Sequence, residues 1–120
     1  MNLEQLIPTK NFTYSFEYGD MKGTPFYAMG YSKATELKTH TRWKLSELKN
    51  IVKKYVKDHP ELSEMCLGMW STNDFIYLDC VLLVSKELPL FYVKMMAEER
   101  GQIAIYDLEN DECHDTSYKN

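Results

Sequence analysis

Long apolar runs are missing from this chain. The longest uninterrupted one is Cys80-Val81-Leu82-Leu83-Val84, far short of the roughly 20 residues that a membrane-spanning helix needs. Residues Met1 to Pro8 lack the basic start and apolar stretch of a secretory signal. Cysteine is scarce, and Cys66, Cys80 and Cys113 are an odd number that cannot all pair within one chain. Cys66 and Cys80 lie in apolar runs, where a free thiol behaves as a small hydrophobe. A reducing compartment, the cytoplasm, is therefore the expected location, and no membrane is an expected partner. There is no phosphate-cradling glycine loop, no Gly-x-Ser-x-Gly elbow and no glycine-flanked cysteine. His40 and His59 have no partners at zinc-site spacing, and Cys113-His114 stands close to the chain's end, so no metal and no cofactor is expected. Helical membrane proteins, disulfide scaffolds and motif-defined enzymes are thereby set aside.

What remains is an ordinary globular mix, 44% apolar and 27% charged over 120 residues. That length suits a single domain, residues 1–120, able to bury a core without a metal or disulfide. Phe12, Tyr14, Phe16 and Tyr18 alternate with Thr13, Ser15 and Glu17, the period of a half-buried strand. A turn at Gly19 to Gly23 and a second strand from Phe26 to Tyr31 predict an antiparallel hairpin. Residues 32–42 show no period and read as a loop. Leu45, Leu48, Val52 and Tyr55 then recur at spacings of three and four, which predicts an amphipathic helix stopped by His59-Pro60.

Met65 to Trp70 and Phe75 to Val84 read as strands around a turn at Ser71 to Asp74. The second, apolar on most of both faces, has the character of a central strand. Ser85 is placed to cap a second helix whose apolar stripe would be Leu88, Phe91, Tyr92, Met95 and Met96, ending at Gly101. Ile103 to Leu108 reads as a last short strand, and residues 110–120 as a frayed acidic tail. The order ββ-α-ββ-α-β predicts a two-layer α+β fold: an antiparallel or mixed sheet of about five strands with two helices on one face.

Charge is unevenly divided. Residues 33–57 hold eight Lys or Arg and two acids, +6, while the remainder holds six bases and sixteen acids, −10. Lys49, Lys53 and Lys57 share one helical stripe, with Arg42 and Trp43 at its start. Segment 42–57 is thus a candidate surface for phosphates or a partner, though lysine-rich solvent faces are common on ordinary helices. Asp107-Leu108-Glu109-Asn110-Asp111 is superficially like a calcium loop. It has Glu112 where that loop needs glycine and no acid at its twelfth place, so a hydrated tail is the preferred reading. Asp79 lies mid-way along the most hydrophobic strand. An unpaired buried carboxylate is costly, so it must be solvated, hydrogen-bonded or neutralised; that structural reading is preferred over a general base or an anchor for a partner's cation.

Tyr77-Leu78-Asp79, followed by Ala97-Glu98-Glu99-Arg100-Gly101-Gln102-Ile103-Ala104-Ile105-Tyr106-Asp107-Leu108, resembles a pattern in small proteins of bacteriophages and prophages, with Trp70 about where their tryptophan falls. The likeness covers residues 65–110. Those proteins are mostly of unknown function, so it implies no reaction. It does imply a phage accessory protein in which Asp79, Gln102 and Asp107 belong to one structural unit.

Three readings follow in order. The first is a non-enzymatic interaction module that binds or inhibits a host macromolecule, with a protein partner favoured. Tyrosine-rich surfaces and the lack of catalytic spacing support it. The second is a nucleic-acid binder using the basic helix 42–57, and the third a small enzyme using Asp79. A homodimer joined through the opposed charges is compatible with each.

Overall fold

A single strand, the apolar segment after the turn at residues 71–74, organises the architecture. The structure, a computed structural model, describes residues 1–116. Among these, eight strands form one antiparallel sheet: β1 (Phe12–Ser15), β2 (Gly19–Asp20), β3 (Phe26–Gly30), β4 (Leu37–His40), β5 (Cys66–Ser71), β6 (Phe75–Ser85), β7 (Ala104–Asp107) and β8 (Glu112–Asp115). The α-helices are α1 (Leu3–Leu6), α2 (Leu45–Asp58) and α3 (Leu90–Glu99). Across the sheet the order is β2-β1-β5-β6-β3-β7-β8, with β4 joined to β6.

β6 is eleven residues long. β5 runs along one of its edges, from Cys66 opposite Val81 to Ser71 opposite Ile76. Two strands share the other edge: β4 pairs with Phe75 to Leu78, and β3 with Val81 to Ser85. In the gap between them the Tyr31 N–H donates to the Cys80 carbonyl at 2.8 Å.

Even-numbered β6 residues face the helices. Ile76, Leu78 and Cys80 pack with Leu48, Val52 and Tyr55 of α2, and Val84 packs with Val93 and Ala97 of α3. Each such fully buried aliphatic side chain contributes about 1.5–3 kcal/mol relative to exposure. Both long helices therefore lie on one face, as expected. The opposite face holds a smaller cluster of Ala28, Cys66 and Val81, closed by Met21 and Leu108 from turns.

The α+β class is as the sequence implied, but the element list differs. The expected hairpin of residues 12–18 with 26–31 does not form. Ser15 Oγ accepts the N–H groups of Glu17 and Tyr18, which turns the chain after four residues. β1 pairs with β2 and β5, while β3 pairs with β6 and β7. The supposed loop 32–42 contains β4. The supposed frayed tail folds back as β8 on β7, and the buried Thr116 donates its hydroxyl to the Gln102 carbonyl at 2.9 Å. The last four residues of that expected tail lie outside the described residues.

Candidate functional site

The second expected helix forms, but its apolar stripe faces the other way. Ser85 does not cap it; its Oγ accepts the Glu87 N–H in a tight turn, and Pro89 leads into the first turn. At the far end Gly101 takes φ +73°, where glycine is unstrained, and the Gln102 N–H closes onto the Ala97 carbonyl at 2.9 Å. Held so at both ends, α3 buries Val93 and Ala97, with Leu90 and Met96 partly buried beside them. Four of the five residues expected to face the core point outward: Leu88 is 39% exposed, Phe91 60%, Tyr92 48% and Met95 46%. α3 is therefore apolar on two sides, only one of which the sheet covers. The outward side is rimmed by exposed Glu87, Glu98, Glu99 and Arg100.

A second exposed set lies on the helix-free face of the sheet, where Trp70 of β5 is paired across to Tyr77 of β6. Their rings stack 4.1 Å apart at 9°. Phe75 stands edge-on to Tyr77, and Lys38 of β4 places its Nζ 4.0 Å from the centre of the Phe75 ring. Reading residues 32–42 as a loop hid Lys38 from this set. The alternation of Phe75 and Tyr77 was the available signal.

The basic stripe of α2 is partly engaged within the chain. Glu4 of α1 stands 3.9 Å from Lys49 and 3.8 Å from Lys53, while Arg42 and Lys57 are exposed. Trp43 is only partly exposed. It packs against the core, donates its indole N–H to Thr39 Oγ1 at 2.8 Å, and stacks on His40.

Asp79 and Gln102 do come together. Both side chains reach the Cα of Gly30, so closely that a Cβ there would meet Gln102 Oε1 and Asp79 Oδ2. Thr35 Oγ1 lies 2.9 Å from the other Asp79 oxygen. Burial pushes the Asp79 carboxyl up to about 6. Asp107 sits elsewhere, on the helix side of β7. Burial works to raise its carboxyl as well, but hydrogen bonds from Lys86 Nζ at 2.9 Å and from Asn110 outweigh that and hold it at about 2. Glu112 and His114 each bring a ligand atom within 4.8 Å of Asp107 and of one another. The Lys86 ammonium already occupies the inner carboxylate of that trio.

Around Tyr55 the chemistry is closed. Its hydroxyl donates to the Thr35 carbonyl at 2.6 Å, and burial raises its pKa above the ordinary phenol range. Burial likewise lifts the Cys66 thiol to about 11, away from nucleophilic use. No family model matches the chain, and neither a curated protein nor a solved structure matches it. No helix among the described residues is long and apolar enough to cross a membrane.

Proposed function

We propose that this chain is a non-enzymatic protein-interaction module, an accessory protein of a phage or prophage that binds or inhibits a host macromolecule in the cytoplasm. The observation that carries the reading is the outward side of α3 with the turn before it, where Leu88, Phe91, Tyr92 and Met95 stay exposed although the helix already has a buried side. Contiguous exposed apolar surface with a charged rim is the usual mark of a protein contact, and aromatic side chains are its strongest anchors. The likeness of residues 65–110 to phage proteins supports the accessory role.

The alternatives have less behind them. Two lysines of the α2 stripe already face Glu4, which weakens both a phosphate surface there and a homodimer built on opposed charges. Asp79 as a general base is held by Thr35 in a nearly closed site, 6% exposed.

Affinity capture with the tagged chain from a bacterial lysate, with and without nuclease, tests the proposal. A protein that survives nuclease treatment is the expected result. Recovery of nucleic acid alone, lost on nuclease treatment, would overturn it.

A further inference from the structure

We infer that the helix-free sheet face around Trp70 is a platform for single-stranded nucleic acid, a second function separate from the α3 contact. Alternation along β5 and β6 puts Trp70, Phe75 and Tyr77 on the same side of the sheet, away from α2 and α3. Trp70 is 46% exposed and Phe75 38%, so ring surface is open to solvent. Trp70 lies flat on Tyr77, at 9° between planes, which props the indole as a rigid stacking surface. Every base has a π-face, so such a surface takes unpaired bases without regard to sequence.

The cation beside the rings, Lys38, suits the backbone of the same ligand. Lys38 is opposite Tyr77 in the β4–β6 register, with its Nζ 4.0 Å from the Phe75 centroid and 5.8 Å from that of Tyr77. Arg42, two residues beyond β4, is exposed, and its N–H donates to His40 Nδ1 at 3.0 Å, which fixes the chain there. Both cations belong to segment 33–57, which carries +6. The acids nearest in sequence are Glu36 and Asp74, just before β4 and β6, Glu47 in the first turn of α2, and Asp79, which is buried. A lysine over the rings argues against a protein occupant, because lysine is depleted where protein interfaces are driest. Rings with a cation alongside are what a single strand needs, since its bases stack while its phosphates pair. A duplex keeps its bases stacked on each other and cannot use the indole.

Fluorescence anisotropy with a labelled oligothymidylate of about 15 nucleotides tests this at low salt. Trp70→Ala is expected to weaken binding at least about five-fold while leaving the salt dependence unchanged, and Trp70→Phe to restore much of it. Lys38→Gln should lower the slope of log affinity against log salt by about 0.7, the value for one single-strand phosphate contact. Trp70→Phe keeps a ring on Tyr77 and Lys38 is exposed, so these two variants should melt as the parent does; Tyr92→Ser should bind like the parent. Absence of binding at low salt would overturn the inference. So would undiminished binding by Trp70→Ala, tighter binding of a duplex, or loss of binding only in Lys49→Glu/Lys53→Glu.

Discussion

Thr35 has one hydroxyl proton and two acceptors within reach, the Ser32 carbonyl at 2.8 Å and Asp79 Oδ1 at 2.9 Å. If Asp79 carries its own proton, it donates to Thr35, Thr35 donates to Ser32, and both contacts are satisfied. On the other side of the carboxyl, Oδ2 and the Gln102 amide crowd the space a Gly30 Cβ would take. Burial is the main reason the carboxyl is raised to about 6, with Glu36 adding to it, while Thr35 and the His59 ring act the other way. The folded state therefore binds this proton more tightly than the unfolded chain does. Stability from Asp79 is greatest below about pH 4, falls as pH rises through about 6, and levels off above. The full difference is on the order of 3 kcal/mol. Asp79→Asn is thus expected to raise the melting temperature at pH 7.5 and to flatten its change between pH 4 and 6; a variant less stable at pH 7.5 would mean an ionised carboxylate with a partner. Gly30→Ala should cost about 1–3 kcal/mol by overpacking, partly recovered when Gln102→Ala is added. That Asp79 needs a special environment was legible in the sequence. The resemblance put Gln102 in one unit with it, but Thr35, from a segment remote in the chain, was not foreseen.

Among the elements, α2 was the most legible, because its apolar positions recur on one side only and His59-Pro60 ends it. α3 was legible as a helix and misread in orientation. Leu90, Phe91, Tyr92, Val93, Met95, Met96 and Ala97 are apolar nearly all round, so periodicity does not choose between two stripes. The turn at Ser85 and the glycine at residue 101 choose, and they do so through three-dimensional geometry. β4 and β8 escaped notice because both are short, polar edge segments whose pairing depends on β6 and β7 rather than on their own alternation. The hairpin of β7 and β8 is joined to the β6 end by Lys86, which reaches Asp107 at 2.9 Å and Glu109 at 3.0 Å. Lys86→Met should destabilise the fold only modestly at neutral pH, since Asn110 and backbone N–H groups still serve Asp107. The Asp107 carboxyl lies below its unfolded value, so its contribution is present above about pH 4 and lost as pH falls towards 2. Lys86→Met should therefore also reduce the loss of stability in acid, and urea melts at pH 7 and pH 3 would show it.

For the molecule as a whole, β6 divides the labour. Its even positions hold the core under α2 and α3, while Phe75 and Tyr77 on its odd side carry the aromatic face. The charge division seen in the sequence persists in the fold, softened where Glu4 comes beside Lys49 and Lys53. Exposed apolar surface, the feature on which the proposed function rests, was hidden in the sequence because the residues that form it were assigned to the core. Its consequence is open to a direct measurement: capture of protein from nuclease-treated bacterial lysate by the parent chain, by Tyr92→Ser/Met95→Ser and by Lys49→Glu/Lys53→Glu. Loss of a tight interface anchor typically costs 2 kcal/mol or more, about a thirty-fold drop in affinity. The expected result is a protein retained by the parent and by the lysine variant but lost from the α3 variant, with all three equally folded. Capture that survives the α3 changes and disappears with the lysine changes would contradict a contact through α3.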